Sequence, residues 1–173
     1  MSVLLTSIAA IMTVKEYNNA VDLYSDGIYR FAIKHLRNEM LADDVVQETF
    51  AKVWQKHEDI QGTKVKSYLF TTAYTSTLDV IKKEKRSGDM ENVSQQEVGS
   101  SNIPNFDIQE HLEQALGTLP EVQKSAVLLR DYEGYSYDEI ADILELNASQ
   151  VKVYIFRARK SLKAYLKRID ILV

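Results

Sequence analysis

The chemistry on offer in this chain is electrostatic rather than catalytic. Cysteine is absent, and the three histidines, His35, His57 and His111, stand far apart with no metal-ligand spacing. A thiolate nucleophile, a thiolate metal site and a disulfide scaffold are therefore excluded. Asp44 and Glu48 are four residues apart, so on a helix their carboxylates share a face and could meet basic groups of a partner. As a metal or acid–base pair they lack a third ligand, since no Glu-x-x-His pattern occurs anywhere. With only six Gly, a phosphate-cradling loop has little raw material. No metal, cofactor or small-molecule substrate is expected, and an all-helical enzyme is the weakest of the readings.

The cations are concentrated. Among 173 residues with a net charge of −4, residues 147–173 hold seven basic side chains and one acidic one. Residues 87–110 hold five acidic and no basic ones, and 111–146 hold eight acidic and two basic. Such a chain binds a polyanion in one place if it binds one at all; a solvated helix face is the plainer explanation of the same charge run. Stepping about 100° per residue from Val151 gathers Ile155, Ala158, Leu162, Tyr165, Leu166 and Ile169 within roughly 60°. Lys152, Arg157, Arg159, Lys160, Lys163, Lys167 and Arg168 fill the remaining face, with Val153 and Phe156 among them. Cations fit phosphates, and apolar side chains between them can touch thymine methyls in a major groove. Alternatively, Phe156 covers a partner helix.

The elements that must position these residues are helical. With 45% hydrophobic residues, two Pro and apolar positions recurring at three and four, the chain reads as all-α. Helices are expected near 16–38, 42–57 and 65–86, with a short loop around Gly62. Residues 87–110, rich in Ser, Asn, Gln and acid, have the composition of a flexible linker. Beyond it, capping boxes are expected at Thr118 to Glu121, Ser136 to Glu139 and Asn147 to Gln150, with Gly134 ending the helix before the second box. The last two helices, a few residues apart, describe a helix-turn-helix. The domains are thus an N-terminal extension over 1–15, a helical module over 16–86, the acidic linker over 87–110 and a helix-turn-helix module over 111–173. No run approaches the ~20 apolar residues of a membrane span, so no membrane insertion is expected. The apolar first 13 residues lack the cationic start of a secretory leader, and a cytoplasmic location is expected.

DDVVQETFAKVW over 43–54, VKSYLF over 65–70 and LDVIKK over 78–83 in the first module, with LPE over 119–121 and LLRDYEGYSYDEIA over 128–141 in the second, together resemble the extracytoplasmic-function (ECF) group of bacterial RNA polymerase sigma factors. The run over 43–54 is similar to region 2.2 of that family, and those over 65–70 and 78–83 to regions 2.3 and 2.4. In the second module the two runs and the basic helix from Val151 to Arg159 resemble region 4. The resemblance covers roughly 16–86 and 111–168, which leaves residues 1–11 expected to be dispensable.

The resemblance implies a two-module fold and a non-enzymatic initiation factor. Core RNA polymerase would be met through the β′ clamp helices and the β flap, with Asp44, Gln47 and Glu48 at the clamp. The −10 element would fall to Tyr68, Thr71, Thr75, Lys82, Lys83 and Arg86, with the loop before that helix helping to hold a flipped-out base. The −35 element would fall to Lys152, Val153, Phe156, Arg157, Arg159, Lys160 and Lys163, of which Lys152, Arg157 and Arg159 are expected on phosphates. Promoter DNA and an anti-sigma protein are the further implied partners. Tyr74 and Thr75 stand where Arg-Asn is common in the family, and Val153 replaces a small polar residue. A stand-alone helix-turn-helix regulator is the alternative; it accounts for 111–168 and leaves 43–54 without a role.

Overall fold

The computed structural model describes residues 11–88 and 104–169, with the side chains of 104–107 left aside. Its chain divides into two compact units, the first ending at Ile81 and the second beginning at Lys82. Among the described residues no strand occurs, and no helix is long and apolar enough to cross a membrane.

In the first unit, α1 (Val14–Leu36) and α2 (Glu39–Gln55) form a tight antiparallel pair around a two-residue break, and α3 (Val65–Ser87), which belongs to this unit as far as Ile81, packs alongside. Helix α1 begins earlier than its apolar spacing implies, because Thr13 and Glu16 form a reciprocal capping box there. It ends at Arg37, which adopts the left-handed conformation (φ 51°) and donates its N–H to the Ile33 carbonyl at 2.9 Å. Asn38 then caps α2 by accepting from the Leu41 N–H at 3.0 Å. Aromatic edges join α1 to α3: Phe31 meets Phe70 and Tyr74, each with centroids 6.5 Å apart, and Tyr24 meets Phe70.

The expected N-terminal extension, 1–15, needs correction at its end. Ile11 bridges Gln61, the Met12 N–H donates to the Ile60 carbonyl at 2.8 Å, and Met12 is buried with Ile60. Residues 11–15 thus belong to the first unit, where they hold down the loop between α2 and α3. A Cβ at Gly62 in that loop would stand 2.8 Å from the Glu16 carboxylate that closes the α1 cap, so a larger residue there would push that side chain off the cap.

The second unit's helices are α4 (Pro104–Gly117), α5 (Glu121–Val127), α6 (Tyr137–Leu144) and α7 (Ala148–Arg168). The expected linker is therefore too long at its C-terminal side. Pro104, whose missing N–H costs nothing at a first helical position, starts a helix that Ala115 and Leu116 anchor in the core. Residues 89–103, including Asp89, Glu91 and Glu97, lie outside the described residues. The box expected at Thr118 is also corrected. Its hydroxyl donates backwards to the Ala115 carbonyl at 2.6 Å and closes α4, while Pro120 occupies the N-cap of α5 without a side-chain cap.

The boxes at Ser136 with Glu139 and Asn147 with Gln150 are both present. Between α5 and α6 the chain makes a wide π turn over Leu128–Tyr132, ended by Gly134 at φ +73°. Helices α6 and α7 are joined through Glu145, another left-handed non-glycine residue (φ 56°). Val151, Ile155 and Ala158 are buried against α4, α5 and α6, as the angular stripe requires.

Candidate nucleic-acid and polymerase interfaces

Helix α2 supplies the acidic positions. Val45, Thr49, Phe50 and Val53 are buried, which turns Asp44, Gln47 and Glu48 outward, and all three are exposed. Glu48 is ion-paired to Lys52, one turn on, at 2.9 Å. Both side chains are about half exposed, so the pair is worth ~0.3–0.5 kcal/mol and yields readily to a stronger partner. The end of α2 is stiffened by aromatic stacking. Trp54 lies between Tyr17, at 4.9 Å, and the His57 ring, parallel at 4.1 Å, while His57 Nδ1 sits 2.6 Å from the Trp54 carbonyl.

A groove of about 410 Å3 opens between the end of α2, the following loop and α3. Tyr68, Thr71 and Thr75 line it from α3, with Thr72 beside them. Lys52 and Gln55 line it from α2, Lys56 from the residue after that helix, and Ile60 from the loop that Met12 holds down. The hydroxyls of Thr72 and Thr75 donate to the carbonyls of Tyr68 and Thr71, at 2.7 and 2.9 Å, which orients their lone pairs. Tyr68 keeps 44% of its surface exposed. An aromatic face, hydroxyl acceptors and ammonium groups in one concavity suit an unpaired base with its phosphate. Reading α3 alone missed Lys52, Gln55, Lys56, Ile60 and Thr72; the available signal was the Lys52–Lys56 spacing just before the loop. Tyr74 points elsewhere: it is half buried, edge-on to Phe31. Lys82, Lys83 and Arg86 are exposed on the last turns of α3, beyond the division at Ile81, and do not line the groove.

In the second unit α7 carries an exposed cationic face. Lys152, Arg157, Lys160 and Lys163 are exposed, and so are the apolar Val153, at 44%, and Phe156, at 67%. Phe156 thus covers little of its own unit. Arg159 behaves differently: its Nε and Nη2 donate to the two carboxylate oxygens of Asp131, at 3.1 and 2.5 Å. Those hydrogen bonds hold the guanidinium further into its charged form, against the opposing effect of burial and with added support from the Tyr137 hydroxyl. Tyr137 receives the Arg130 guanidinium over its ring at 4.8 Å and the Lys152 ammonium at 5.9 Å. Arg130 also donates to the Tyr135 carbonyl at 2.9 Å. Among the described residues no group of three or more His, Asp or Glu is placed to hold a metal ion.

Comparison with known proteins agrees with this geometry. Residues 20–87 match the Sigma-70 region 2 family and residues 109–162 the Sigma-70, region 4 family. The ECF RNA polymerase sigma factor SigM of Bacillus subtilis is 29% identical over 161 residues, covering 91% of this chain and 97% of its own. The sigma factor RpoE of Bartonella quintana, solved in complex with the anti-sigma factor NepR, superposes with a TM-score of 0.69 at 25% identity, over 89% of this chain and 98% of its own. The fold of CnrH, solved with the cytosolic domain of CnrY, matches equally well, at 0.69 over 88% of each chain with 22% identity. A region 2 unit with a groove beside its acidic helix, followed by a region 4 unit with a cationic recognition helix, makes this chain an RNA polymerase sigma factor of the ECF group.

Proposed function

We propose that the chain acts without bond chemistry, as a cytoplasmic initiation factor whose three surfaces divide the work. The outward residues of α2, Asp44, Gln47 and Glu48, dock on the β′ clamp helices of core polymerase. The groove takes one unpaired base of the −10 element, and Lys82, Lys83 and Arg86 attract phosphates of the promoter. Helix α7 enters the −35 major groove, with Val153 and Phe156 against base edges and Lys152, Arg157, Lys160 and Lys163 on phosphates. Region 4 also meets the β flap. Binding the open strand more tightly than the duplex shifts the melting equilibrium by that difference in affinity. An anti-sigma protein is a further partner in this reading, supported by the complex in which the Bartonella relative was solved.

The observation that carries the reading is the groove, where Lys52 of α2, Lys56 just after it and the Tyr68 ring of α3 line one concavity beside the acidic positions. Its test is transcription by purified core enzyme on a promoter library. Transcripts should appear only when the chain is added, and Asp44→Lys with Glu48→Lys should abolish both those transcripts and co-purification with core. Full polymerase affinity in that double variant would remove α2 from the interface.

A further inference from the structure

Arg159 was expected to grip a phosphate, yet both of its bonded nitrogens face Asp131, 28 residues back in the chain. Asp131 stands in the π turn between α5 and α6, and its neighbour Arg130 lies over the Tyr137 ring in the first turn of α6. The other visitor to that ring is Lys152, at the start of the second turn of α7. The turn, α6 and α7 are therefore tied at two points, Lys152 and Arg159, which are two helical turns apart on one side of α7. Val153 and Phe156 lie between those points in the sequence.

The two kinds of attachment on α7 do different things. Burial of Val151, Ile155 and Ala158 holds the helix to its unit, but apolar contact is non-directional and resists a slide or a roll only weakly. A guanidinium fork on both oxygens of a carboxylate is directional, in distance and in plane. We propose that Asp131 and Tyr137 are positioning residues of the −35 interface, acting through Arg159 and Lys152 to set the angle at which α7 presents Val153 and Phe156. Arg159 is then a strut of the helix-turn-helix rather than a phosphate contact. The inference rests on reading α7 as the −35 helix.

The sign of one substitution separates this from simpler electrostatics. Asp131 is an exposed acid near a cationic helix. If it were only a surface charge, or if Arg159 were a phosphate ligand that Asp131 diverts, Asp131→Asn would tighten binding to every DNA sequence. The strut requires the reverse: a loss, confined to the preferred −35 sequence.

The experiment uses the full chain assembled with core polymerase. Promoter fragments randomised over the −35 element select a preferred sequence, and binding to it and to a scrambled −35 is measured at two salt concentrations. Asp131→Asn and Arg159→Ala should each lower the ratio of preferred to scrambled binding about fivefold, the upper range for an exposed fork. The double variant should fall no further, and the salt slope should stay within half a unit of the wild type. Asp131→Glu should recover most of the ratio, whereas Arg159→Lys, a point charge without a fork, should not. Tyr137→Phe, which keeps the ring under Lys152 but removes the hydroxyl that helps hold Arg159, should lower the ratio less than Tyr137→Leu does. Circular dichroism checks each fold, and the exposed, isosteric Asp131→Asn keeps the test decisive if Arg159→Ala unfolds. Tighter binding of Asp131→Asn to both DNAs would overturn the proposal. So would a uniform loss in Arg159→Ala with the salt slope flattened by about one unit, the mark of a phosphate contact. A wild-type holoenzyme that prefers no −35 sequence would overturn the −35 reading itself and this inference with it.

Discussion

The groove of region 2 and the recognition helix of region 4 both suit DNA, and their surfaces are built in opposite ways. The groove is concave, assembled from two helices and a loop, and its ring and hydroxyls sit beside only two cations. Helix α7 is convex, a single element whose outer face is mostly cation with two apolar side chains raised above it. A concavity can enclose a base that has left its stack, which gives it a preference for opened DNA. A protruding helix enters a groove that is still paired, which gives it a preference for duplex. In the function proposed above, the pair of surfaces distinguishes two states of one promoter.

Tyr68→Ala should break that contrast most severely. Loss of one stacked base costs about 1–3 kcal/mol, so binding of the holoenzyme to a single-stranded −10 oligonucleotide should fall about tenfold or more. Binding to a duplex −35 fragment should not change. Equal losses on both DNAs would mean that Tyr68 supports the fold and not the base.

Phe156→Ala sharpens the duplex side. A reading contact should cost about 1–2 kcal/mol at particular −35 base pairs, with no change in salt slope, because no charge is removed. A folded variant with the wild-type ranking across a panel of −35 substitutions would strip Phe156 of that role. Lys160→Ala and Lys163→Ala should do the converse at smaller cost. Each should weaken every −35 sequence alike and flatten the salt dependence by about one unit.

The smallest effect expected is a gain. Glu145 holds the helix-turn-helix corner at φ 56°, a conformation that costs a side-chain residue about 1–2 kcal/mol. Glycine removes that strain but adds about 0.5–1 kcal/mol of unfolded-state entropy. Glu145→Gly should therefore stabilise the second unit by only about 0.5 kcal/mol, read as a small rise in its thermal midpoint. A fall would show that the Glu145 side chain contributes more than its backbone costs.

How legible each surface was follows from the range of the interactions that build it. The stripe of Val151, Ile155 and Ala158 and the caps at Ser136 and Asn147 depend on residues three or four apart, so helical period and cap chemistry reveal them directly. The same local signal misled at Thr118, where the pattern of a box is present but the hydroxyl reaches back to Ala115 and not forward to Glu121. A cap motif names a possible hydrogen bond, and the path of the chain through Pro120 decides which one forms. At 104–110 the polar composition hid a helix, because the burial that anchors it, at Ala115 and Leu116, lies further along the chain.

What the amino-acid sequence determined by itself is therefore every helix except α4, the caps of α6 and α7, the outward face of α7 and the acidic outward positions of α2. Those follow from angles about single helix axes. Only the tertiary structure brought Lys52, Lys56 and Ile60 to the face of α3 that carries Tyr68, turned Tyr74 inward onto Phe31, and committed Arg159 to Asp131. Periodicity specifies the side on which a residue stands but not what stands opposite. Residues dozens of positions apart meet only when the packing of whole helices brings them together.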